Sequence, residues 1–347
     1  MIQSSIGGTG RVQVWIERPA AGQHLWQPSL VDAERWREAM QRALYAPGTG
    51  FFVGPGRPAE HFRTSVHASP LFAAALARLV ERLDEELGRP ATLDVVDVGA
   101  GRGELLVGLA YAVPAEVRER VRLTAVELAD RPAPLPPDIG WVASVPDRVT
   151  GLLLATEWLD NVPLDLVTLD DAGVARYVLT DWSLGEPVSD EDAAWLATWW
   201  PSKPGHIAEV GVPRDEAWRA AVSTVERGLA LCVDYGHVAA ERPALGTLSG
   251  YRAGRQLPPV PDGDSDLTAH VAVDALTGPR TTVLRQRDAL RKLGVSGARP
   301  PLSLASEDPA AYVRALAAAS DATELTDPAG LGGHYWIVEP IGIPSLL

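Results

Sequence analysis

Three glycines and four acids fall where apolar runs end, and together they could hold a nucleoside-like ligand and act on something beside it. In "VVDVGAGRGELL", residues 95 to 106, a strand-like run carries Asp97 near its end, and Gly99, Gly101 and Gly103 follow at alternate positions. Glycines so spaced make a tight strand-to-helix turn that a ligand can approach closely. A dinucleotide turn would read G-x-G-x-x-G, but position 104 is a glutamate that would crowd and repel a pyrophosphate. S-adenosylmethionine fits better, because its methionine moiety can lie over Gly99, Ala100, Gly101 and Gly103 while a carboxylate takes its ammonium group. Glu127, at the end of "VRLTAVEL", can accept both ribose hydroxyls, with Leu128 beside it. A tight turn without a ligand is the alternative reading.

Glu157 and Asp160 lie three residues apart after the apolar run "GLLLAT". An acid at the carboxyl end of a buried strand must be satisfied or functional, and Glu157 is hard to read otherwise. Asp160 could instead cap a turn before "NVP". Asp234 and Tyr235 close a later strand, either as a hydrogen-bonded terminus or as part of a site. His270 in "TAHV" is a candidate general base or substrate contact, with a structural histidine as the other reading. Arg252 could pair with an acid or touch substrate. The only cysteine, Cys232, sits in the strand-like "LALCVDYG" and reads as core, so no metal site is expected.

These residues need a frame that brings strand ends together. From residue 93 the chain reads strand, turn, helix, strand, with further strands at "DLVTLD", "ARYVLTD", "ALCVDYG" and "HYWIVEP". Such alternation predicts an α/β fold, a mainly parallel sheet with helices on both faces. Ligands then bind beyond the carboxyl ends of the strands, which puts Gly99, Glu127 and Glu157 on one rim. Upstream, "DAERWREAMQRAL" places Trp36, Met40, Ala43 and Leu44 on one helical stripe, and Ser69-Pro70 reads as the N-cap and first residue of a second helix. The division expected is an irregular segment 1–28, an N-terminal helical cap 29–90 and a domain 91–347 with insertions near 183–208 and 237–270. Trp195, Trp199 and Trp200 fall in the first insertion, as core or as a lid.

The chain has 347 residues and a formal net charge of −14, which argues against a nucleic-acid partner and allows a basic protein substrate. No apolar run reaches the ~20 residues of a membrane span. The first residues lack a basic stretch followed by an apolar one, so no secretory signal is expected and the cytoplasm is the expected location. A homodimer is compatible with the composition.

Several segments carry a resemblance. "VVDVGAGRGELL" resembles the first motif of class I S-adenosylmethionine-dependent methyltransferases, with their Rossmann-like sheet. "ALYAPGTGFF", "FRTSVHASPLFA", "TEWLDNVP", "LCVDYGH", "GTLSGYR" and "DLTAHV" are similar, in the same order, to patterns of the MidA family, which includes a mitochondrial complex I assembly factor. The likeness covers roughly residues 36 to 340. It implies a protein arginine methyltransferase whose substrate is a protein such as a respiratory-complex subunit. Carried over, it makes Asp97, Gly99, Gly101, Gly103 and Glu127 cofactor residues and sets Glu157 and Asp160 beside the transferable methyl. Thr64 and Ser69, in "RTSVHASP", are expected at the cofactor entrance. Four departures stand out: His67 where the family has glutamate, Val66 where it has proline, Thr156 where it has asparagine, and prolines at 132, 134, 136 and 137 that forbid the family's helix after Glu127.

That chemistry agrees with the residues. Methyl transfer is an in-line displacement, so positioning dominates its rate. A guanidinium is protonated at neutral pH and is a poor nucleophile, and two carboxylates can orient its planar fork and stabilise the cation. Two rival readings remain: a small-molecule O- or N-methyltransferase, and a catalytically silent assembly or binding protein of the same fold.

Overall fold

The computed structural model describes residues 33–54 and 64–347, together with the backbone of an antiparallel strand pair, Gln3–Gly7 with Arg11–Trp15. That pair lies in the segment expected to be irregular; the rest of residues 1–32 falls outside the described residues.

Seven strands form the central sheet: β1 (Leu93–Val98), β2 (Val121–Val126), β3 (Gly140–Val142), β4 (Val149–Thr156), β5 (Val225–Asp234), β6 (Thr282–Arg285) and β7 (Tyr335–Ile341). Their order is β6-β7-β5-β4-β1-β2-β3. The first five run parallel, and β7 is antiparallel to both neighbours. The order reverses at β1, between β4 and β2, where doubly wound sheets open a ligand crevice. Register aligns the strand ends there: Val98 pairs with Val126 on one side and Ala155 on the other, and Val233 pairs with Thr156. Gly99, Glu127 and Glu157 therefore share one rim, as the pattern predicts.

Both faces are covered, which is why the strands read as continuous apolar runs. Val95, Leu152 and Leu154 meet Phe72, Leu76 and Leu79 of α3 (Pro70–Glu86) and Leu106 of α4 (Glu104–Ala112). Val96, Val98, Leu153 and Ala155 point the other way, into a cluster with Trp218 and Ala221. Ser69 caps α3 by accepting the Leu71 N–H at 3.1 Å, with Pro70 as its first residue. This helix packs on the sheet beside α4, whereas α1 (Trp36–Tyr45), the Phe51-Phe52 turn and α2 (Ser65–Ala68) lie toward the rim.

"DLVTLD" and "ARYVLTD" do not join the central sheet. Leu166–Leu169 and Ala175–Val178 form a hairpin, extended by Leu184–Pro187 and Ala208–Glu209 into a separate antiparallel sheet. The reason is local. Asp170 accepts the N–H groups of Ala172 and Val174, closing a turn too short for the crossover that a parallel neighbour needs. This separate sheet begins at Leu166 and ends at Glu209, so the tryptophan segment falls within its span of sequence. One face of it packs on Trp36, Met40 and Leu44 of α1, and the other buries Trp195 and Trp200 with Trp199 at the margin. The tryptophans are core; Trp195 also donates to Asp215 at 2.8 Å. Between β5 and β6 a three-stranded sheet (Ser249–Arg252, Arg255–Leu257, Asp266–Thr268) leads back to the rim. Among the described residues, no helix is long and apolar enough to cross a membrane.

Candidate active site

A cavity of about 240 Å³ opens at the reversal point. Its floor is the glycine turn. Gly99, Gly101 and Gly103 all take left-handed backbone conformations, with φ of +72°, +59° and +84°, which a side chain would strain. A Cβ on Gly99 would strike Trp158 at 2.7 Å, whereas one on Gly101 would meet only Glu104 Oε2, at 3.8 Å. The turn is packed from behind and open toward the cavity at Gly101. That is the cradle the glycine spacing predicts.

Three carboxylates surround this cradle. Glu127 accepts the Gly101 N–H at 3.0 Å and the Ala129 N–H at 3.1 Å. Glu104, first residue of α4, accepts the Arg102 N–H at 3.1 Å. Asp97 is buried in β1, and burial together with the charges of Glu127 and Glu104 raises its pKa to about 8. A positively charged ligand would relieve that repulsion and a phosphate would worsen it.

At the opposite end of the cavity lie Glu157 and Asp160. Glu157 follows β4 with φ of +52°, an uncommon conformation for a non-glycine residue. Its Oε1 accepts the Ser65 N–H of α2 at 3.0 Å. Burial, against that hydrogen bond, and the nearby Asp160 charge raise its pKa to about 7. Asp160 follows three residues further along. It lies in a short 3-10 turn whose N–H groups, at Leu159 and Asp160, are capped by Asp234 Oδ2 from β5. Asp160 Oδ2 accepts the Tyr235 hydroxyl, which also contacts Thr268 Oγ1. Its Oδ1, and the buried Oγ1 of Thr156, have no hydrogen-bond partner among the described residues. Asp266 receives Asn161 Nδ2 at 2.7 Å, and burial with the Asp160 charge pushes its carboxyl well above the usual range. Phe51, Phe52 and Tyr235 form apolar walls around these acids.

The cavity gathers Thr64, Asp97, Gly99, Ala100, Gly101, Glu127, Glu157 and Asp160 from the expected set. Four others lie outside its lining. Gly103 is the N-cap of α4, behind the turn and against Leu135. The side chain of Leu128 is exposed. The Ser69 hydroxyl is spent on capping α3 and on Asp321, at 3.0 Å. His270 packs edge-on against the Tyr235 ring, 5.1 Å between centroids, and is not part of the cavity lining. Arg252 pairs with Asp262 at 2.5 Å. The proline segment after Glu127 is not helical, yet it is tightly built. The Arg131 guanidinium donates to the Ile139 and Pro136 carbonyls at 2.5 and 2.6 Å, and Leu135 is buried beneath Gly103.

Sequence reasoning missed Arg214. Buried in the core, it donates to the carbonyls of Asp160, Val162, Ala269 and His270 at 2.6, 3.1, 2.8 and 3.0 Å. It ties the loop carrying Asp160 to the loop following Thr268. Nothing in "GVPRDEAW" marks it, because its partners are main-chain atoms.

With this geometry in hand, comparison with known proteins is direct. Residues 75–291 match the model of a family described as "Putative S-adenosyl-L-methionine-dependent methyltransferase". The chain belongs to that family. The match runs from within α3 to just past β6, and includes the glycine turn, Glu127, Glu157 and Asp160. The methyl donor of this methyltransferase is S-adenosylmethionine, in line with the open glycine cradle and its ring of carboxylates. No curated protein matches the chain. Among solved structures, a COG1565 superfamily member from Burkholderia thailandensis bound to S-adenosyl-homocysteine is similar, with 27% identity, TM-score 0.71, and coverage of 91% of this chain and 89% of that one. A native structure of an uncharacterised COG1565 superfamily protein from the same organism gives 26% identity, TM-score 0.69, and coverage of 90% and 88%. These findings support the MidA-like resemblance and the class I methyltransferase fold.

Proposed function

We propose that this methyltransferase acts on the guanidinium group of an arginine in a protein substrate. The observation that carries this reading is the unpartnered Asp160 Oδ1, buried beside Glu157 in an acidic, aromatic-walled pocket. Buried carboxylate oxygens are costly unless paired. A guanidinium supplies planar donors for two carboxylates at once and stacks well on aromatic rings.

In this reading Asp97, Gly99, Ala100, Gly101 and Glu127 hold the cofactor, with Thr64 at its edge, and Glu127 takes the ribose hydroxyls. When bound, S-adenosylmethionine supplies an electrophilic methyl group. Glu157 and Asp160 orient the guanidinium and lower the cost of desolvating it. A cation beside Glu157 favours its ionised form. As the nitrogen reacts it gives up a proton, and Glu157, poised near neutrality, is the acceptor within reach. Tyr235 fixes Asp160 through its hydroxyl, and Arg214 fixes the loop behind it.

The test is methyl transfer from labelled S-adenosylmethionine into a lysate of soluble proteins and, separately, into its small-molecule filtrate. Label should enter protein and be recovered after hydrolysis as methylarginine. Label confined to the filtrate would replace this reading with a small-molecule methyltransferase. No label in either, together with no cofactor binding, would mark a silent scaffold.

A further inference from the structure

His67 and Glu104 face each other across the mouth of the cavity. His67 stands on α2, on the N-terminal side, and Glu104 begins α4 just after the glycine turn; both line the cavity. The imidazole Nε2 lies 3.5 Å from Glu104 Oε1, and Nδ1 lies 2.7 Å from the Thr64 hydroxyl. The hydrogen bond with Glu104 raises the pKa of His67 despite its partial burial. Against the burial that opposes its charge, the hydrogen bonds from His67 and the backbone hold Glu104 below the usual carboxylate range. A position that is glutamate in the MidA pattern thus carries an imidazole here, opposite a carboxylate, at a separation longer than the 2.7–2.9 Å of a good charge-assisted bond.

We propose that His67 and Glu104 hold the amino-acid end of S-adenosylmethionine, the imidazolium taking its carboxylate and Glu104 its ammonium group. The inference rests on the cofactor lying over the glycine turn. Glu104 Oε2 is 3.8 Å from where a Gly101 side chain would begin, on the strip left open for the methionine moiety. Asp97, Glu104, Glu127 and Glu157 all line the cavity, so a free carboxylate entering it needs a cation. The basic side chains that line it are His67 and Arg102. Both are exposed, but His67 has a partner at each ring nitrogen. Binding exchanges one long ion pair for two shorter contacts with a zwitterion, and leaves the net charge of the pair unchanged. The nucleoside end would not feel the exchange.

Two ligands separate the ends. S-adenosylhomocysteine carries the amino-acid group, and 5′-methylthioadenosine is the same nucleoside thioether without it. Calorimetric titration of the full chain should show that His67→Gln and Glu104→Gln each weaken S-adenosylhomocysteine by about tenfold or more, the loss expected when charge-assisted hydrogen bonds to a ligand disappear. Both should leave 5′-methylthioadenosine within about twofold, as for substitutions at part-exposed positions that touch nothing of the ligand. His67→Lys, which keeps the cation, should retain most of the preference for S-adenosylhomocysteine. Equal weakening of both ligands would show a purely structural pair and overturn the proposal. Unchanged S-adenosylhomocysteine affinity in the glutamine variants would overturn it too, and assign the carboxylate to Arg102. Wild-type protein that binds neither ligand would instead refute the cofactor placement on which the pair depends.

Discussion

Replacing Glu157 with glutamine should make the protein more stable and nearly inactive, and both effects follow from one side chain. Glu157 Oε1 accepts the Ser65 N–H at 3.0 Å, and a glutamine carbonyl can do the same. What changes is the charge. The carboxyl pKa rises from 4.5 to about 7, with burial as the main cause. The folded protein therefore keeps a proton that the unfolded chain releases between those values, so stability is lost as pH rises through that window. The loss at pH 8 is on the order of 3 kcal/mol, at about 1.4 kcal/mol for each pH unit. Glu157→Gln removes it. Urea unfolding at pH 8 should show the variant more stable by roughly 1 to 3 kcal/mol, and the gain should vanish near pH 4.5, where both side chains are neutral. Methyl transfer to a protein acceptor should meanwhile fall ~100-fold or more, because the anion that aligns the guanidinium is gone. S-adenosylhomocysteine affinity should hold. In the wild type, kcat/KM should rise with pH through about 7 as Glu157 ionises. A variant that is no more stable at pH 8 and still transfers methyl groups would refute the reasoning.

Glu127→Ala should weaken S-adenosylhomocysteine by ~1 to 3 kcal/mol in a calorimetric titration, and unchanged affinity would remove it from the ribose. Gly101→Val, at φ of +59° with open cavity beside it, should abolish cofactor binding while costing ~1 to 2 kcal/mol of stability, read by titration and urea melts side by side. Tyr235→Phe takes a hydroxyl donor from Asp160 and so disfavours its ionised form; methyl transfer to a protein acceptor should fall while S-adenosylhomocysteine affinity holds in a calorimetric titration. Arg214→Lys cannot reach four carbonyls at once; unfolding measurements should show a loss of ~2 to 4 kcal/mol, with turnover falling as the Asp160 loop loosens.

The glycine turn and the acids around it are legible in the sequence because their requirements are local. Alternate glycines, a preceding acid and a second acid one strand later are fixed by backbone geometry, and register alone brings them together. Ser69-Pro70 announced a helix start for the same reason. The acceptor end was legible only in part. Glu157 and Asp160 stand out as acids ending an apolar run, but Asp160 owes its position to Asp234, Tyr235 and Arg214, which lie 54 to 75 residues further along the chain. His270 looked catalytic because a histidine between strand-like segments has many uses; in the fold its ring backs Tyr235. The "DLVTLD" and "ARYVLTD" strands have the composition of the central sheet, and only the Asp170 turn sends them elsewhere. The tryptophans read as core or as a lid, because no sequence pattern reveals the sheet face that buries them.

The central claim is that one cleft holds the cofactor over the glycine turn with its sulfur directed at Glu157 and Asp160. A crystal structure of the protein with S-adenosylhomocysteine tests this most directly. The account predicts the ribose on Glu127, the thioether above Gly99 to Gly101, and the sulfur facing the pocket walled by Phe51, Phe52 and Tyr235. A sulfur turned away from the two acids, or a ligand seated off the glycine turn, would contradict it.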